Sequence, residues 1–535
     1  MKDAYLTAII DEMPRLLSQL DTNPLSPTYG CFDRQYWHYK TSDMPCARYQ
    51  EAGLTLALIS RIASPKNIYY KDEQMIRFAV ASVSYWSKIQ ESDGSYNEWY
   101  PNERSFVATA FSLFAVTEVY LLFPHRCKQY TDAIVRAANW LCNQTELSVC
   151  NQQAGASAAL YNAYRITADS RYKTRAEKNL KQLIHAQTPE GWFPEYGGAD
   201  VGYSSVTIDY LANYYKKSKD KQVLPVAEKL LNFLDYFVHP GYTWGGIYGS
   251  RNTQYMIPGG MEIFSQYFPA AQRLSQSVLS HLRTRSLIVD DRYLCYNGYT
   301  YLYAYLHFSS HKRNDFLYTK SFIRHFPQAG LLITSNKRYY AICNLKKGGV
   351  AAIYSQKNGK LIFNDCGLIG RLQDDNVVST QFLNMTVMPR IQGRVVTITG
   401  SMYRVTSLIN TPGKQLLMRC FQLILGRVAI FSKLSKKLLR VVLITGGKKV
   451  PISYEKTFIF SDRRVNITTT VHMTRDSLRF RQLWPFATFM LIYVPSSRYY
   501  LQIASGFTDN TLSQHAIDTL NTTRKIVIKH DVVVT

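Results

Sequence analysis

The chain has 535 residues, 46% hydrophobic and 19% charged, with 13% aromatics that include 40 Tyr; this excludes a disordered polymer and allows two or three domains, each with its own core. The net charge is +25, and residues 337–535 carry +20 of it, 29 Lys and Arg against 9 Asp and Glu, so the back of the chain suits a polyanion such as an acidic polysaccharide, a nucleic acid or an anionic membrane. The nine Cys form no CxxC pair, which argues against a zinc site or a disulfide framework, and no metal or cofactor is expected.

In chain order, the N-terminus MKDAYLTAIIDEMPRLL carries acids and breaks its apolar run, unlike a signal peptide. No apolar stretch is long enough to span a bilayer, so a cytoplasmic protein with reduced thiols is expected. Five segments then share a pattern, a polar Gly-containing loop followed by a helix opening with small residues. They begin at Glu51, Ser105, Ala154, Tyr203 and Gly259, spaced 54, 49, 49 and 56 residues apart. Between them, 72–90, 131–143, 171–187 and 222–237 place apolar residues at helical spacing on one face. Small residues let inner helices approach closely, while amphipathic partners cover the outside. This predicts an N-terminal α/α toroid, an incomplete or complete α/α barrel, over 1–330, with a solenoid as the alternative. Residues 271–311 read as helix joining it to the next domain.

From about residue 330 the pattern changes to short runs rich in Val, Ile and Tyr, separated by Gly and Lys turns. Strands are expected at 339–343, 349–355, 360–364, 394–399, 416–425, 440–445, 457–460 and 525–534, forming a basic C-terminal antiparallel β-sandwich over 331–535. The segment 431–444, FSKLSKKLLRVVLI, reads as a turn and a buried strand, or as a basic helix making peripheral contact with an anionic membrane.

The loops repeat as well. Asp93-Gly94-Ser95-Tyr96-Asn97-Glu98-Trp99-Tyr100 aligns with Glu190-Gly191-Trp192-Phe193-Pro194-Glu195-Tyr196, 97 residues later, which is two repeat units. Equivalent loops of a ring share a face, so Glu98 and Glu195 should point into one cleft. That face collects substrate-binding candidates Glu98, Trp99, Arg104, Gln152, Trp192, Glu195, Tyr196, Asp200, Tyr248 and Asn252, together with Asn151, Tyr203 and Arg251.

A helical ring followed by a β domain, with Asn151 opening one inner helix and the loop Gly191-Trp192-Phe193-Pro194-Glu195-Tyr196 leading to Tyr203, resembles the heparinase II/III-like polysaccharide lyases. Gln152 stands where these lyases often carry His. The resemblance implies that Asn151 neutralises a uronate carboxylate and that Tyr203 moves protons. Arg251 is added as a carboxylate clamp on chemical grounds. Amide and guanidinium donors would stabilise the enolate formed when the sugar C5 proton leaves. A Tyr, with an ordinary pKa of about 10, needs a positive neighbour to act as base, and Arg251 or Arg104 would supply it.

The expected function is therefore lyase-type β-elimination on a uronate-containing polysaccharide; a C5-epimerase would use the same proton abstraction. The alternatives are a glycoside hydrolase using Glu98 with Glu195 or Asp200, and a non-enzymatic glycan-binding or polysaccharide-assembly protein. Nucleic acid is not an expected partner, because the Lys and Arg pairs match none of the usual modules. The oligomeric state is open.

Overall fold

The computed structural model describes residues 1–534 apart from 286, 288–289, 311–314, 406–410, 429–430, 433–446, 476 and 492–509. The front of the chain forms twelve main helices: α1 (Asp3–Ile10), α2 (Ala52–Ile59), α3 (Glu73–Lys88), α4 (Phe106–Leu122), α5 (Thr131–Cys142), α6 (Cys150–Thr167), α7 (Ser170–Ala186), α8 (Val201–Ser218), α9 (Val223–Leu234), α10 (Gly259–Phe264), α11 (Pro269–Thr284) and α12 (Asp291–His307). The even-numbered helices are the inner ones. Each packs on the next, and α12 returns to pack on α2, so the ring closes. The barrel is thus complete, with six pairs. The expected joining segment 271–311 corresponds instead to α11 and α12, the sixth pair.

Composition explains which helix goes where. The inner helices bury most of their residues: every residue of α2 is buried, and α6 packs through Ala154, Gly155, Ala156, Ala158 and Ala159. Gly155 is required there, because a Cβ would stand 2.3 Å from the Phe111 ring of α4. The outer helices are amphipathic; α7 buries only Tyr172, Ala176, Asn179, Leu180 and Leu183.

Strands begin at Phe322, ahead of the expected boundary at 331. A five-stranded antiparallel meander runs β1 (Phe322–Phe326), β2 (Leu331–Ser335), β3 (Tyr339–Asn344), β4 (Val350–Ser355) and β5 (Leu361–Asp365). An eight-stranded antiparallel sheet takes β6 (Ile369–Leu372), β7 (Val377–Ser379), β8 (Arg390–Gln392), β9 (Val395–Arg404), β10 (Lys448–Phe460), β11 (Arg464–Met473), β12 (Phe480–Trp484) and β13 (Lys525–Val533), in the order β12-β6-β7-β9-β10-β11-β13 with β8 beside β9. The three central strands of the five-stranded sheet, β2–β4, are buried on both faces. Leu331, Ile333, Tyr340, Ile342, Val350 and Ala352 join the core of the ring. The alternate residues Leu332, Ala341, Cys343, Ala351 and Ile353 join the core shared with the larger sheet. Ring, inner sheet and outer sheet are stacked in that order.

One expected strand is wrong in type. Residue 425 opens a 3-10 turn, and residues 416–424 before it fall in a helix, α13 (Pro412–Ile424), capped by the Thr411 side chain on the Lys414 N–H. Its residues Leu416, Leu417 and Ile424 are exposed, so no second β-layer stabilises an extended form. The last helix is α14 (Gln514–Thr523). The expected strand 440–445 lies outside the described residues, as does most of 431–444. No helix among the described residues is long and apolar enough to cross a membrane.

Candidate active site

The loops that precede successive inner helices bond to one another at one end of the ring. The Ala47 N–H donates to Asn97 O (3.1 Å), the Cys150 N–H to Pro194 O (3.2 Å) and the Ser250 N–H to Ala199 O (2.9 Å). The two aligned loops are also the same structure. Gln90 Nε2 donates to Gly94 O and Ala133 O, while Gln187 Nε2 donates to Gly191 O and Val226 O. Gly94 (φ +91°) and Gly191 (φ +97°) each bring the backbone against an outer helix; a Cβ on either would lie 2.4 Å from a carbonyl oxygen, of Arg136 and of Lys229 respectively.

Asn151 lies in the first turn of α6 and is 4% exposed. Its backbone N–H and its Nδ2 donate to the two oxygens of Glu195, at 3.0 and 2.7 Å. Val149 offers no side-chain cap, so Glu195 of the neighbouring loop caps α6 instead. Burial holds the Glu195 carboxyl well above the usual carboxylate range, against the Asn151 donors. Gln152 is half-buried beside it.

Asp200 caps α8. It accepts the N–H of Tyr203 (3.3 Å) and of Arg251 (2.9 Å), and the Thr253 hydroxyl. It therefore ties the loop carrying Arg251 to the helix carrying Tyr203. The Arg251 guanidinium lies 4.7 Å over the Tyr196 ring, and the Tyr196 ring is 6.3 Å from that of Tyr203. Arg251 is 6% exposed, and its Nε has no acceptor among the described residues. Burial draws the guanidinium below its ordinary pKa, opposed by Tyr203, Tyr196, Asp200 and Glu195 around it. Asn151, Glu195, Tyr196, Asp200, Tyr203 and Arg251 thus form one contiguous cluster.

The β domain supports this cluster from below. Lys347, in the β3–β4 turn, donates Nζ to Ile247 O (2.9 Å), to Gly249 O (2.8 Å) and to Asn252 Oδ1. Three acceptors match the three donors of an ammonium. Burial nevertheless pushes Lys347 down to about 7, with Arg251 adding to the shift. Asn344 Nδ2 donates to Tyr248 O (2.7 Å). Asn252 takes a left-handed backbone (φ +58°), and its Oδ1 accepts from Lys347.

A second group lies at the same end of the ring. Arg48 occupies the place in the first loop that Asn151 occupies in the third, since the preceding residues make equivalent backbone bonds. Its guanidinium pairs with Glu51 (2.7 Å), approaches Glu98 (3.9 Å) and stacks 3.9 Å over Tyr296. Burial raises Glu98 to about 7, with Arg48 opposing. Trp99 is 45% exposed, and the Arg292 guanidinium lies 4.3 Å over its ring.

Four expected ligand contacts are reassigned. Tyr248 is fully buried, its hydroxyl bonded to His239 Nε2 (2.7 Å). Trp192 is 4% exposed, and its indole N–H donates to Glu190 (2.9 Å). Asp200 is 1% exposed and saturated by its caps. Arg104 pairs with Asp93 (2.9 Å) and donates to Gly426 O and Arg427 O, anchoring the segment after α13 rather than serving Tyr203. Lys347, Arg48 and Arg292 are the polar groups that sequence reading missed. The Lys346-Lys347-Gly348-Gly349 stretch reads only as a turn, whereas extending the loop alignment back one unit would have found Arg48. No group of three or more His, Cys, Asp or Glu side chains that could hold a metal ion occurs among the described residues.

Residues 67–261 match the family model of the ulvan lyase N-terminal domain. The matched stretch contains Glu98, Asn151, Glu195, Tyr203 and Arg251. Among solved structures, the chondroitin AC lyase of Streptomyces coelicolor A3 in complex with chondroitin sulphate superposes with a TM-score of 0.54 at 9% identity, covering 89% of this chain and 67% of that one. The xanthan lyase of Paenibacillus superposes at 0.50 and 10% identity, covering 88% of this chain and 45% of that one. The ring-plus-β architecture is thus that of polysaccharide lyases, and this chain spans less than half of the xanthan enzyme. No curated protein sequence matches the chain.

Proposed function

We propose that this chain is a polysaccharide lyase that cleaves an acidic, uronate-containing polysaccharide by β-elimination. The observation that carries the reading is the Tyr203–Tyr196–Arg251 contact beside Asn151, on the loops matched by the ulvan lyase family model. Roles follow the heparinase II/III-like pattern. Arg251, with its buried and unpaired Nε, and Asn151, with the Nδ2 hydrogen that Glu195 does not take, receive the uronate carboxylate. Tyr203 takes the C5 proton; the electron pair moves into the carboxylate as an enolate, which the two donors stabilise. The pair then forms the C4–C5 double bond as the C4–O4 bond breaks, and the Tyr203 hydroxyl protonates the departing oxygen. Water is not consumed. Arg251 beside Tyr203 lowers the cost of the phenolate. Trp99 under Arg292 offers an exposed ring face for a neighbouring sugar.

The hydrolase alternative is disfavoured by the bonding of its acids. Both oxygens of Glu195 serve Asn151, and Asp200 is enclosed by its caps, so neither is available to a water or a leaving group.

The test is incubation with ulvan, chondroitin sulphate, xanthan and heparan sulphate, following the ultraviolet absorbance of the unsaturated product. Tyr203→Phe is expected to lower kcat by roughly 10²–10⁴ with unchanged thermal stability, the range for loss of a positioned acid–base group. No absorbance with any uronate polymer, or full activity in Tyr203→Phe, would reject the reading. Solvent deuterium uptake without cleavage would instead mark an epimerase.

A further inference from the structure

The β domain holds a cavity of about 490 Å³ where the β2–β3 turn meets the β10–β11 turn. This is within the size range of ligand sites. Phe322, Tyr339 and Phe460 line it; Tyr339 and Phe460 are buried, and Phe322 is the ring with accessible surface. Thr334, Ser335 and Asn336 add hydrogen-bonding groups, and Lys337, Arg338 and Arg394 add positive charge.

The walls are fixed by bonds between the two turns. Tyr339 Oη donates to Ser461 O (2.9 Å), and Asn336 Nδ2 donates to Asp462 O (3.4 Å). Asn336 Oδ1 also accepts the N–H groups of Arg338 (2.8 Å) and Tyr339 (3.0 Å), which sets the β2–β3 turn. Arg394 is neutralised by Asp462 at 2.7 Å. Lys337 and Arg338 have no carboxylate partner among the described residues, so a net positive charge faces the cavity. The cavity lies at the opposite end of β3 from Lys347, roughly 20 Å away at the strand rise. It is therefore separate from the ring cleft.

We propose that this cavity is a second binding site for an anionic oligosaccharide segment, in which Lys337 and Arg338 receive carboxylate or sulfate groups and the Phe322 ring carries a sugar face. Hydroxyl and amide groups beside aromatic rings suit a sugar, and two unpaired cations select a charged one. A cavity of about 490 Å³ holds a short single chain and is too small for a nucleic-acid duplex. A polymer held here would be tethered to the molecule while another stretch occupies the cleft, which raises its effective concentration there. The proposal shares the substrate class of the lyase reading but none of its residues.

The test uses the full chain carrying Tyr203→Phe, to prevent turnover, and a chondroitin sulphate tetrasaccharide bearing a photoreactive diazirine, with maltotetraose bearing the same group as the neutral control. Cross-links are mapped by peptide mass spectrometry. Labelling is expected in peptides spanning 321–338 or 458–464. The double substitution Lys337→Ala, Arg338→Ala should abolish that labelling and weaken tetrasaccharide binding about tenfold, the scale for losing charge-assisted contacts near a surface. In protein retaining Tyr203, the same double substitution should leave the rate on the tetrasaccharide unchanged while slowing turnover of the polymer. Labelling confined to the cleft peptides 196–255, no labelling, equal labelling by maltotetraose, unchanged labelling in the double variant, or displacement by duplex DNA but not by chondroitin sulphate would each overturn the proposal. Failure of the lyase reading is a different result: no unsaturated product, with labelling at 321–338 still present.

Discussion

Glu195 commits both carboxylate oxygens to Asn151, and Asp200 commits its own to Tyr203, Arg251 and Thr253. At the scale of single residues, then, the two acids of this cluster act by holding donors in place. Glu195→Ala removes the acceptor of two buried N–H groups, so the expected cost is about 1–3 kcal/mol of stability, read by urea unfolding. His239 makes a second residue-scale prediction. It is buried, bonded at Nδ1 to Thr243 (2.9 Å) and at Nε2 to Tyr248 (2.7 Å), and stacked 4.3 Å from Tyr354. Burial lowers its pKa to about 3. A lowered folded-state pKa means that stability is complete above the ordinary histidine value and declines as pH falls towards 3. Thermal melts should lose stability below about pH 6.5, and His239→Gln should flatten that acid limb.

At the scale of elements, the repeated loop and the β3–β4 turn decide the site. Gly94 and Gly191 both need positive φ and both press an outer helix. Replacing either with Ala should destabilise the ring by more than the roughly 1 kcal/mol of an ordinary substitution, visible as a lower midpoint in denaturant. Lys347 holds the 247–252 loop through three acceptors. Lys347→Met would leave those acceptors unpaired and let Arg251 drift. A displacement of about 1 Å costs up to 10²-fold in rate, so kcat should fall about that much. Faster amide exchange in residues 247–252 should accompany the fall, while helices distant from the β domain exchange as before.

At the scale of the whole molecule, the three central strands of the inner sheet have no solvent face. They are covered by the ring on one side and by the eight-stranded sheet on the other. Calorimetry should therefore show the ring and the sandwich melting in one transition. A chain ending near residue 320 should aggregate, because the ring surface that packs against Tyr340, Ile342 and Ala352 becomes exposed apolar area. Two separate, reversible transitions would contradict this coupling.

Read along the chain, the period of about 50 residues, the small inner helices and the matched Glu98 and Glu195 loops were legible, because a repeat must bury the same faces and turn at the same places each time. The order of ring and β domain, and the positions of Asn151, Tyr203 and Arg251 on one face, followed from that period. The sixth pair escaped notice because α12 is built on Tyr-rich packing, and its role as the closing helix is a contact with α2, some 240 residues earlier. Residues 416–425 misled because Leu and Ile suit a buried strand as well as a helix, and only the absence of a covering layer decides. The burial of Tyr248 and Trp192, the capping duty of Glu195 and Asp200, and the reach of Lys347 under the cleft were likewise decided in three dimensions. Sequence spacing sets which face of an element a residue occupies; which partner then meets that face depends on how ring and sheet are stacked, and that is a property of the assembled core.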